Sequence, residues 1–130
     1  MSKYVKKEDK GFIDKTADEV RELAKGDAFC ILPWIHMHPW PQGKVFPCCL
    51  SNTTVDDVVG DLNVQTIEEV YNGHQLKRMR RDFLANKKHH SCTKCYDQEA
   101  LGRIDSLRMK SNEEFVLQPD NWHKFENKID

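Results

Sequence analysis

Apolar residues recur along this chain at two spacings, and the change between them marks out its regions. Thr16-Ala17-Asp18-Glu19 is a capping-box pattern, followed by Val20, Leu23 and Ala24 at helical spacing and stopped by Gly26, which predicts a short helix. Residues 29–49 instead alternate apolar and β-favouring types on both sides of Pro41-Gln42-Gly43, a hairpin signal. Proline donates nothing to a strand ladder, so the prolines of this segment place the ribbon at a sheet edge. Residues 51–57 are polar and loop-like, and 58–62 form a short apolar piece. A second capping box, Thr66-Ile67-Glu68-Glu69, opens a helix that ends at Asn72-Gly73. Leu76, Met79, Phe83 and Leu84 then predict a helix over 74–85, with Lys77, Arg78, Arg80 and Arg81 on its solvated faces. Residues 86–91 read as a loop and 95–102 as a fourth short helix, after which the pattern weakens. The expected fold class is α+β: a small β-hairpin followed by short helices.

These signals organise the chain as a mobile leader over 1–15, one domain over 16–106 and a C-terminal extension over 107–130. A length of 130 residues permits one core. With 38% apolar and 32% charged residues that core is thin, so a metal or crosslink tying loops together would add useful stability. The net charge of -1 supplies no field that would draw the chain to nucleic acid or to an anionic membrane, so neither is an expected partner. The basic first residues have no apolar run behind them, and no stretch of about 18 apolar residues occurs anywhere. Neither a signal peptide nor a membrane span is predicted, and a reducing, cytoplasmic compartment is expected. There, five cysteines point to metal binding or catalysis before a disulfide framework.

Four of the five, Cys30, Cys48, Cys92 and Cys95, form a set able to close a tetrahedral site. A cysteine ligates only as thiolate, and backbone N–H groups in tight turns stabilise that charge. Gly43 supplies the turn that returns Cys48 toward Cys30, and Cys92-Thr93-Lys94-Cys95 sets two sulfurs on one side of a turn before a helix. Four thiolates suit a structural zinc ion or an iron-sulfur cluster. Zinc sites are commonly built from two close pairs, whereas only one close pair is present here. Cys49 follows Cys48 directly; on extended chain the two sulfurs point to opposite faces, so Cys49 is set aside as a small buried hydrophobe. His36, His38, His89 and His90 would serve a mixed zinc site, and Phe29, Trp34, Trp40 and Phe46 a packed, dry shell. A thiol redox role for Cys92 and Cys95 lacks the surrounding βαβ pattern.

Taken together, Cys30-x12-Gly43-x4-Cys48, Gly60-Asp61-Leu62, the stretch from Thr66 to Asn72, Leu76-Lys77-Arg78-Met79-Arg80 and Cys92-x2-Cys95 resemble the twitch form of the SPASM domain, the auxiliary iron-sulfur module of radical S-adenosylmethionine (radical SAM) enzymes. The resemblance spans roughly residues 29–102. It implies that Cys30, Cys48, Cys92 and Cys95 bind one auxiliary [4Fe-4S] cluster, serving electron transfer or the shaping of a substrate pocket beside a radical SAM catalytic domain in cis or in trans. In that case 107–130 would be a linker toward the catalytic domain. The alternative is a structural zinc-binding module with four cysteine ligands that mediates protein contacts. Two departures matter: no cysteine follows Cys95 to build a second cluster, and the C-x3-C-x2-C triad that holds the S-adenosylmethionine-cleaving cluster is absent. The chain alone is therefore not expected to be catalytic.

Overall fold

The computed structural model describes residues 15–118. Helix α1 (Ala17–Ala24) begins at Thr16, whose hydroxyl accepts from the Glu19 amide while the Glu19 carboxylate accepts from the Thr16 amide. The same reciprocal cap at Thr66 and Glu69 starts α3 (Ile67–Tyr71). Helix α4 (His74–Leu84) follows almost at once, its axis restarted by Gly73 at the N-cap. Val20, Val70, Leu76, Met79 and Phe83 point inward from these helices and form the centre of the core.

Between α1 and α3 lies a three-stranded antiparallel sheet, ordered β1 (His38–Pro39), β2 (Lys44–Phe46), β3 (Gly60–Asp61). The hairpin register pairs His38 with Phe46 and Pro39 with Val45. Its turn is closed by the Gly43 amide donating to Trp40 O at 2.9 Å. Gly43 adopts φ +104°, and a Cβ there would collide with Asn63, whose side-chain amide donates to Gln42 O at 2.7 Å and locks the turn. Gly60 has a different reason: the Val70 methyls pack where its Cβ would stand, which seats α3 on β3.

Three expectations change here. The first arm of the ribbon is not extended throughout, because Leu32–Ile35 forms a helical turn, α2. Pro33 sits in its first turn, where a missing N–H costs nothing, and its end is satisfied from outside: Arg80 Nε donates to Pro33 O at 2.9 Å and Tyr71 Oη to Trp34 O at 2.7 Å. The ribbon as a whole is not an edge either; only β1, with Pro39, is one, since β3 pairs β2 on its other side. Arg80 is fully buried rather than solvated, with its guanidinium 4.2 Å from the Tyr71 ring centroid.

After α5 (Thr93–Ala100) the chain re-enters the core. Ser106 caps α6 (Leu107–Asn112) by accepting from the Met109 amide, and a π-helical turn, Glu113–Leu117, packs on α1 with Val116 buried. Residues 107–117, part of the stretch read from sequence as an extension, thus contribute Arg108, Ser111, Asn112 and Val116 to the interior. Residues 1–14 of the leader read over 1–15, and 119–130 of the extension, lie outside the described residues. No helix among the described residues is long and apolar enough to cross a membrane.

Candidate metal centre

The four cysteines arrive from three places: Cys30 just before α2, Cys48 just after β2, and Cys92 with Cys95 at the start of α5. Cys30 and Cys95 are buried, Cys48 and Cys92 partly so; Cys49 is exposed and not the buried hydrophobe expected of it, and none of the five is disulfide-bonded. Each of the six pairings among Cys30, Cys48, Cys92 and Cys95 is close enough for charge on one thiol to oppose ionisation of the other. Cys49 acts on Cys48, its direct neighbour.

Burial is the main force on these thiols. It pushes Cys30 and Cys48 up and raises Cys92 to about 12, with mutual repulsion adding to the effect. Local donors work the other way. The Leu32 amide bonds to the Cys30 sulfur, and the Leu50 and Ser51 amides bond to that of Cys48. Such N–H groups aimed at sulfur favour the thiolate and fix its direction. Without a cation in their midst Cys30, Cys48 and Cys92 stay protonated; a bound metal centre would displace those protons.

The surrounding structure holds the three segments in place. On the Cys30 side, Tyr96 Oη donates to Ala28 O at 2.8 Å. Asn112 donates to Phe29 O at 2.8 Å and to Ala24 O at 3.3 Å, and accepts from the Ile31 amide at 3.0 Å. Arg108 Nη1 also donates to Phe29 O, at 2.8 Å, while its Nε donates to Glu99 Oε2 at 2.9 Å. A side chain that both donates to and accepts from the flanks of one residue does for Cys30 what a neighbouring strand would do. Phe29 stacks on Trp34 with centroids 5.4 Å apart, and Phe83 lies behind it at 6.2 Å.

On the other side, Asn52 spans the gap from the hairpin exit to Cys92. Its amide donates to Ser91 O at 2.9 Å, and its side chain donates to His90 O at 2.9 Å. Ser91 Oγ donates to the buried Asp57 at 2.6 Å, and Thr54 Oγ1 donates to the other Asp57 oxygen at the same distance. Burial opposes ionisation of Asp57, but these bonds outweigh it, and its pKa is lowered.

The histidines lie in two stacked pairs, His36 with His38 and His89 with His90, with centroids 6.1 and 4.2 Å apart. His90 Nδ1 lies 3.1 Å from Asp57 Oδ1, and His89 Nδ1 accepts from the Ser91 amide. Among the described residues no group of three or more His, Cys, Asp or Glu side chains converges as a site for one metal ion. Of the aromatic shell, Phe29, Trp34 and Phe46 are buried, while Trp40 is 39% exposed and packs on Phe46.

Nothing in the sequence pattern singles out Arg108, Asn112, Asp57 or Asn52. Polar side chains that turn inward leave no mark in a hydrophobic pattern; only the Ser106 cap hints at α6.

Residues 30–96, just over half of the chain, match the family model of SPASM, an iron-sulfur cluster-binding domain. No curated protein and no solved structure matches the chain.

Proposed function

The chain belongs to the SPASM family of iron-sulfur cluster-binding domains, and on that premise we propose that Cys30, Cys48, Cys92 and Cys95 hold one [4Fe-4S] cluster that serves as an auxiliary centre for a radical SAM catalytic domain, in cis or in trans. The observation that carries this reading is the mutual proximity of four thiols drawn from three separate segments, two of them buried. The single close pair, Cys92 and Cys95, also fits a cluster better than the two close pairs common at structural zinc sites.

When bound, the cluster supplies one-electron chemistry. Everything else falls to the protein: the amides at Leu32, Leu50 and Ser51 orient sulfur, and Phe29 and Trp34 keep the inner side dry. Four cysteine ligands leave no iron open to substrate, which favours electron transfer or structural support over substrate binding. The packed unit that does this runs from residue 16 to about residue 117.

Anaerobic reconstitution tests the proposal. About four iron and about four sulfide per chain, with the broad visible absorption of a cluster, are expected. One tightly held zinc, colourless protein and unfolding on chelation would instead identify a zinc module with four cysteine ligands.

A further inference from the structure

Arg108 lies beyond the family-matched residues and is 3% exposed. Its guanidinium is held at two places. Nη1 donates to Phe29 O, the carbonyl of the peptide that leads into Cys30, and Nε and Nη2 both engage the Glu99 carboxylate. Glu99 is fixed in turn by the Ser106 hydroxyl, which donates to it at 2.6 Å. A planar fork tied on both sides cannot swing out to water. Burying such a cation is costly unless a partner answers it, and Glu99 does so through Nε and Nη2, leaving Nη1 to the Phe29 carbonyl. Nη1 thus stands on the carbonyl of the peptide that leads into Cys30, 2.8 Å from its oxygen.

A reduced cluster carries one more negative charge than an oxidised one, and nearby charge is one of the levers that sets cluster potential. Resting on the cluster assignment proposed above, we infer that Arg108 is a positioning and charge-balancing residue: held by Glu99 against the Phe29–Cys30 peptide, it stabilises the reduced state of the cluster and raises its reduction potential, while Glu99 limits the rise. Asn112 binds the same Phe29 carbonyl, so backbone support alone does not require a cation at position 108.

The test is a dithionite titration of the reconstituted full chain followed by electron paramagnetic resonance. One electron passes from dithionite to the iron-sulfur unit, and no covalent bond forms or breaks. In Arg108→Gln the reduced-to-oxidised ratio at a fixed potential is expected to fall about tenfold, a midpoint about 59 mV lower for a one-electron couple. Arg108→Lys, which keeps the charge, is expected to stay within about threefold of the unsubstituted chain. Glu99→Gln is expected to move the ratio upward. A structural role alone would move all three variants in one direction, so equal shifts for Gln and Lys, or a downward shift for Glu99→Gln, overturn the inference. If Arg108→Gln fails to retain its cluster, the sign of the Glu99→Gln shift decides: a rise supports the inference, and a fall or no change overturns it. Absence of iron from the unsubstituted chain overturns the cluster assignment itself, and this inference with it; a normal cluster with unmoved potentials overturns only the role of Arg108.

Discussion

Cys30 and Cys48 lie 18 positions apart, before α2 and after β2, and add their thiols to the same group, yet the walls around them are built differently. The backbone at Cys30 is fastened by Tyr96, Arg108 and Asn112, all from the far end of the chain, and backed by Phe29 and Trp34. Cys48 is served by amides two and three residues on, beside the exposed Cys49 and the partly exposed Trp40. The inner wall is a long-range construction, and the outer wall a local turn. The difference separates two environments: the inner wall is buried and tied to the far end of the described chain, while the outer one is partly open to solvent.

The largest expected effect breaks this contrast directly. Cys30→Ala should lower reconstituted iron per chain at least tenfold, while Cys48→Ala, whose place small ligands reach from solvent, should lower it about threefold; equal losses would show that the two walls are equivalent. Next comes stability. Asn112→Ala removes a buried group with three backbone partners and should reduce unfolding free energy in urea by about 3 kcal/mol. Asn63→Ala, which removes the exposed lock on the hairpin turn, should cost about 1 kcal/mol.

A smaller effect is tied to pH. Burial and the neighbouring His90 lower His89 from 6.5 to about 4. Between these values the unfolded chain takes up a proton that the native state refuses, so stability is complete above 6.5 and declines as pH falls toward 4. Urea midpoints of the metal-free chain at pH 7 and pH 5 should therefore differ, and His89→Asn should narrow the gap. Smallest of all, Cys49→Ser should leave iron content unchanged and shift stability by no more than about 0.5 kcal/mol.

Much of the outer wall was legible in the sequence. The turn at Pro41-Gln42-Gly43 and the caps at Thr16 and Thr66 are local devices, decided by residues three or four positions apart, and they form as their chemistry requires. The inner wall was not. Leu32–Ile35 reads as strand by its apolar content, but it coils because Arg80 and Tyr71, more than thirty positions away, receive its carbonyls. Arg80 reads as a surface charge until Tyr71 and Pro33 are seen around it. Helix α6 carries its inward face on Arg108, Ser111 and Asn112, so no apolar period marks it. The cysteines themselves stand out by spacing, which is why the family was legible before the supports around the thiols were.

The clasp on Cys30 also orders events in time. Asn112 meets Ile31 across 81 positions and Phe29 across 83, and Arg108 meets Phe29 across 79. Contacts of such separation form late, because the intervening loop must be closed before they are gained. During synthesis the hairpin, both capping boxes and even the Cys92-Cys95 pair are complete while Cys30 still lacks its backbone partners. A nascent chain shorter than 112 residues therefore lacks the buried side chain that fixes the backbone on both sides of Cys30.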